Sequence, residues 1–180
     1  MPPVTKTVSF LLLAFALASL GACSLFQSQP PTVPAKPAYV PPSYDLVAAI
    51  RAAGAREKSV IDVNPLHDAG VTGLQDAAMA DDRAGRYADA AAKLDQALKL
   101  SPDSPDLLQD RAEMAVRMKD YPLAEKLAKE SWSLGPKLGP LCARNWQTVV
   151  EMRLQQNDQA GAAAARTRVK QCHKPGEPRY

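Results

Sequence analysis

The chain has 180 residues, 22 basic and 19 acidic side chains, a formal charge of +3 and a 46% hydrophobic content. That hydrophobic share is enough for a core and argues against a disordered protein, while the length allows one ordinary domain or a short repeat array. The charges are mixed along the chain with no long block of one sign, so nucleic acid is not an expected partner.

Residues 1–22 read as an export signal. Lys6 precedes an apolar segment from Val8 to Leu20, and small residues follow it. Such a segment is too short to cross a hydrocarbon layer that needs about 20 helical residues. The four residues Leu20-Gly21-Ala22-Cys23 resemble the lipobox of bacterial lipoprotein signal peptides. The resemblance implies cleavage before Cys23 and lipidation of that cysteine (palmitate among its acyl chains). Three acyl chains, at about 0.8 kcal/mol per buried methylene, exceed what stable anchoring requires. Ser24, in place of Asp, resembles the pattern for transfer to the outer membrane, facing the periplasm. An ordinary secretory signal followed by an incidental cysteine is the alternative.

The segment 23–43 carries Pro30, Pro31, Pro34, Pro37, Pro41 and Pro42. Proline at this density favours extended polyproline conformations, so the segment reads as a stalk of up to roughly 60 Å. A proline-rich ligand for another module is the competing reading. Residues 44–70 are expected to hold a short helix and a connecting arm. Ser43 is its candidate N-cap, Leu46, Val47 and Ile50 form its apolar stripe, and Gly54 is its stop. This helix is expected to cap one end of the domain that follows.

Residues 85–102 and 119–136 align at a fixed offset: Tyr87 with Tyr121, Ala90 with Ala124, Leu100 with Leu134 and Pro102 with Pro136, each pair 34 residues apart. This period and residue pattern resemble the tetratricopeptide repeat (TPR), a helix-turn-helix unit. The family's small and bulky positions fall on Leu74, Ala77, Ala78, Ala90, Leu94 and Ala97 in the first unit. In the second they fall on Leu108, Ala112, Ala115, Ala124 and Ala128, with Arg111 where the family usually has Leu. Small residues let antiparallel helices approach closely. Ser104-Pro105 supplies an N-cap and a first-turn proline for the second unit. A third, less regular unit begins with the stripe Leu138, Leu141, Cys142, Trp146, Val149 and Val150, and Trp146 stands where the pattern wants a small residue. The expected fold is all-α, a short TPR-like solenoid of about three units over residues 71–173, with a C-terminal tail at 174–180. A generic alanine-rich bundle is the alternative.

Cys142 and Cys172 lie at equal distances from Asn157, in the middle of the last turn. Equal distances place the two sulfurs at one height in an antiparallel pair, so export predicts a disulfide between them. Cys142, Cys172 and His173 lack a fourth ligand and the close pair spacing of zinc sites, so no metal is expected. His67-Asp68 lacks a nucleophile, and a capping Asp beside a surface His is the expected reading. With no phosphate-binding loop or metalloprotease motif, neither catalytic residues nor cofactors nor a small-molecule substrate are expected.

In the repeat family the first helix of each unit lines a concave surface. The resemblance carries this role to Gln75, Met79 and Arg83, then Gln109, Asp110, Glu113 and Arg117, then Arg144, Gln147 and Glu151. Of these, Gln109, Glu113, Arg117, Arg144 and Gln147 are the expected partner-binding residues, with Arg117 and Arg144 suited to a carboxylate. Solvated helix faces are the bland alternative. The functional expectation is a lipid-anchored adaptor or scaffold that binds another envelope protein in assembly or secretion. The alternative is a regulator of cell-wall enzymes or a peptidoglycan-associated lipoprotein.

Overall fold

A computed structural model describes residues 43–58 and 66–175. Cys23, the signal segment and the proline-rich segment lie outside the described residues. Among the described residues there are seven helices and no strand. They are α1 (Leu46–Arg56), α2 (Ala69–Arg83), α3 (Tyr87–Leu100), α4 (Pro105–Arg117), α5 (Tyr121–Leu134), α6 (Gly139–Gln155) and α7 (Gln159–Gln171). The pairs α2/α3, α4/α5 and α6/α7 are helical hairpins, and successive hairpins stack through α3 on α4 and α5 on α6. This is the expected all-α, TPR-like solenoid.

The hairpin turns share one device. Gly85, Lys119 and Asn157 have φ of 75°, 63° and 57°. The residue after each donates its N–H back to the first helix: Arg86 to Asp81 O, Asp120 to Ala115 O and Asp158 to Arg153 O, each at 2.9 Å. This is a Schellman closure, in which one left-handed residue lets the chain reverse while orphan carbonyls stay bonded. Gly85 and Lys119 are 34 residues apart, whereas Lys119 and Asn157 are 38 apart. The third unit is thus the longer one, and α6 with 17 residues is the longest of the described helices.

The repeat alanines lie where the helices approach. Ala90, Ala97, Ala112, Ala115, Ala124 and Ala128 are fully buried. A first core joins α2, α3 and α4 through Val71, Ala78, Leu94, Leu107 and Met114. Arg111, at the position where the family usually has Leu, lays its stem against the fold and donates from Nε to Asp95 Oδ1 on α3 at 2.7 Å. Trp146 is accommodated by an edge-on contact with Trp132, centroids 5.3 Å apart, beside the Cys142–Cys172 disulfide. The guanidinium of Arg168 on α7 covers the Trp146 ring at 5.5 Å.

Helix α1 departs from the expectation in three ways. Its N-cap is Asp45, whose Oδ1 accepts the Ala48 N–H at 3.0 Å, and not Ser43. Gly54 does not stop it; the helix continues to Arg56 because Gly54 is a contact residue. A Cβ there would lie 2.7 Å from Arg144 Cγ and 3.1 Å from the Pro140 carbonyl, so only glycine lets α1 lie this close to α6. Nor does α1 cap an end. It packs on α6 and α4, the first helices of the third and second units.

Candidate protein-interaction groove

The concave side of a TPR solenoid is lined by first helices, here α2, α4 and α6. Helix α1 lies along part of it. Val47 and Ile50, both fully buried, join Ala115 and Val116 of α4, Ala124 of α5 and Met152 of α6 in one apolar cluster. Tyr44 Oη donates to Glu151 Oε2 at 2.6 Å, near the end of α6, and Gly54 meets Arg144 and Pro140, near its start. The two helices therefore run antiparallel. Burying Ile50 alone contributes about 1.5–3 kcal/mol.

Charges tie the same surface. Arg144 Nη2 donates to Asp110 Oδ1 and to Glu113 Oε1, both at 2.6 Å. Arg51 on α1 then bridges Glu113 Oε2 at 2.7 Å to Asp82 Oδ2 on α2 at 2.8 Å. Arg117 Nε lies 3.5 Å from Asp82 Oδ1, and its Nη1 donates to Asp45 Oδ2 at 2.7 Å. Four carboxylates thus alternate with three guanidinium groups across α1, α2, α4 and α6. Burial works against the charge on Arg144, but the fields of Glu113 and Asp110 outweigh it and hold the guanidinium pKa above its ordinary value. Arg51 is shifted in the same direction, with desolvation again overcome by Glu113 and Asp82.

The expected partner-binding residues are therefore engaged within the molecule. Glu113 and Gln109 are wholly buried in the seam between α4 and α6, where Gln109 Nε2 donates to Glu113 Oε1 at 3.1 Å and to Thr148 Oγ1 at 3.0 Å. Gln147 Nε2 donates to Glu151 Oε1 at 2.7 Å. Arg117 and Arg144 remain about a quarter exposed but are already paired with carboxylates. Asp45, Arg51 and Gly54, which sequence reasoning did not assign to this surface, complete it. The apolar stripe of α1 signals burial, but nothing in a stripe says which face it covers.

What stays open is a pocket of about 570 Å³ at the first-unit end, between α2 and α4 and bordered by Arg51 of α1. Met79, Leu94 and Met114 give it an apolar wall, and Asp82, Asp106 and Asp110 line its polar side. His67 is not the surface side chain expected from sequence. It lines this pocket, 9% exposed, with Nε2 2.8 Å from Asp106 Oδ2. Asp68 is the α2 N-cap, accepting the Val71 N–H at 2.9 Å.

A tetratricopeptide-repeat family model matches residues 83–137. The globular C-terminal domain of P. aeruginosa LpoP is 30% identical in sequence, with a TM-score of 0.55, over 58% of this chain and 99% of that domain. The chain belongs to the LpoP family. The LpoP likeness extends beyond the two regular hairpin turns that carry the repeat pattern, and it takes in essentially the whole of the solved domain. No match is found among curated proteins. An LpoP-type TPR fold is a protein-interaction architecture, and its surface here is a groove partly filled by the chain's own helix.

Proposed function

We propose that this chain is a lipid-anchored adaptor of the bacterial outer membrane, facing the periplasm, that binds another envelope protein and regulates a cell-wall enzyme. The observation that carries the reading is the likeness to LpoP across the whole of its globular domain. In this reading residues 1–22 are a removed signal, Cys23 holds the lipid and 23–43 is the linker. The linker's proline content suits it to present the solenoid at a distance from the bilayer. The disulfide between Cys142 and Cys172 is in keeping with an oxidising compartment. An assembly or secretion partner is the second reading, since the same groove and anchor would serve it.

The test is a photo-crosslinking amino acid placed in the native host at Met79, on the pocket wall, and separately at Leu134, an exposed side chain at the end of α5. A discrete adduct from Met79 with an enzyme of cell-wall synthesis is the expected result. An adduct with a different envelope protein would overturn the cell-wall assignment and leave an adaptor. No protein adduct from either position would overturn the adaptor reading itself.

A further inference from the structure

The concave face is divided. Helix α1 occupies the part formed by α4 and α6, so a partner reaching this side meets the pocket between α2 and α4. At about 570 Å³ it lies within the roughly 300–1,000 Å³ typical of specific ligand sites. Its wall is Met79, Leu94 and Met114, and Met79 is 47% exposed, so the wall is open to an incoming side chain.

The sign of the pocket follows from its pairing. Two arginines border it, Arg51 and Arg144, and both already hold two carboxylates each. The acids exceed them: Asp82, Asp106 and Asp110 line the pocket and Glu113 lies beneath. Asp106 is bonded to the amide of Gln75 and to the imidazole of His67, and among the described residues no lysine or arginine pairs with it. Asp82 has a side chain only 5% exposed, and its Oδ1 accepts no hydrogen bond, its nearest cation being Arg117 Nε at 3.5 Å. Asp106 Oδ1 is likewise without a donor. Buried carboxylate oxygens left unbonded are costly, and at Asp106 no lysine or arginine among the described residues offsets that cost.

We propose that this pocket is the docking point for the partner protein and that it receives a lysine or arginine side chain from an exposed segment of that partner. The methionine and leucine wall suits the aliphatic stem, and Asp106 and Asp110 suit the cationic head. The proposal rests on the adaptor reading and names the chemistry of its contact. A neutral apolar anchor and an anionic segment gripped by Arg51 and Arg144 are the competing occupants.

The full-length protein in detergent micelles, labelled with 13C at its methionine methyls, reads the pocket directly. Met79 and Met114 line it, Met152 reports the seating of α1 and Met118 lies away from it. The probes are three capped tripeptides, Ala-Arg-Ala, Ala-norleucine-Ala and Ala-Glu-Ala. The expected result is a saturable shift of the Met79 and Met114 methyls with the arginine peptide alone, weakened about tenfold by Asp106→Asn while the Met152 methyl stays in place. An equal response to the norleucine peptide, a response to the glutamate peptide, or none to the arginine peptide would each overturn the proposal. Because no host partner enters this experiment, its failure is distinct from a failure of the crosslinking test.

Discussion

Glu113 is the residue on which the concave side turns. Its carboxylate is wholly buried and receives Arg51 from α1, Arg144 from α6 and Gln109 from its own helix. Removing one partner of a buried ion pair leaves uncompensated charge, and here it would leave two guanidinium groups short of an acceptor. Glu113→Ala should cost about 3–5 kcal/mol, read from the urea midpoint of the lipid-free protein. The sequence placed Glu113 correctly on a first helix, yet assigned it to an external partner. A repeat pattern fixes the helix face, but here the face is filled by a segment outside the repeat.

Acid sensitivity also belongs to single residues. Burial raises the Glu125 pKa, but Lys129 and Arg153 outweigh it and hold the carboxyl below its ordinary 4.5. The Gly161 amide, with help from Arg153, lowers Asp158 below its ordinary 3.8. A carboxyl with a folded pKa below its unfolded one binds fewer protons in the native state. Its contribution is therefore complete above the unfolded value and disappears as pH falls through the folded value. The melting temperature should drop as pH falls below about 5, and Glu125→Gln should flatten that slope. An unchanged slope in the variant would show that Glu125 does not carry it.

At the scale of elements, the first two hairpins were legible because their 34-residue spacing and buried alanines depend on local approach between neighbouring helices. The phase of the third was not, since α6 is buried on several sides at once. Leu141, Cys142, Ala143, Asn145, Thr148, Val149, Val150, Glu151 and Met152 are all buried, which erases a clean stripe. Cys142 and Cys172 staple this irregular hairpin, with Gly139 N–H donating to Cys172 O at 2.8 Å across the same end. Replacing both cysteines by serine should cost about 2–4 kcal/mol, with amide exchange rising first in α7. Exchange rising uniformly over the domain would contradict a local role for the bond. The bounds of α1 were misread because Gly54 can end a helix or permit close contact. Only the position of Arg144 distinguishes the two.

At the scale of the molecule, the proposed function assigns anchoring and recognition to separate parts of one chain. Cys23→Ser should abolish incorporation of labelled palmitate and release the protein from the membrane fraction, with the solenoid still folded. Retention of both label and membrane association would refute the lipidation reading. The central claim concerns α1: it fills the α4–α6 part of the groove and leaves the acidic pocket beside α2 for a partner. Amide hydrogen exchange across Leu46–Arg56 in the full-length protein tests it most directly, with Gly54→Val as the comparison. The account predicts protection of the α1 amides approaching that of α4 and α6, and its selective loss in the variant, where a side chain meets Arg144. Rapid exchange of α1 in the unmodified protein, with α4 and α6 protected, would mean that the whole concave face is open and would contradict the account.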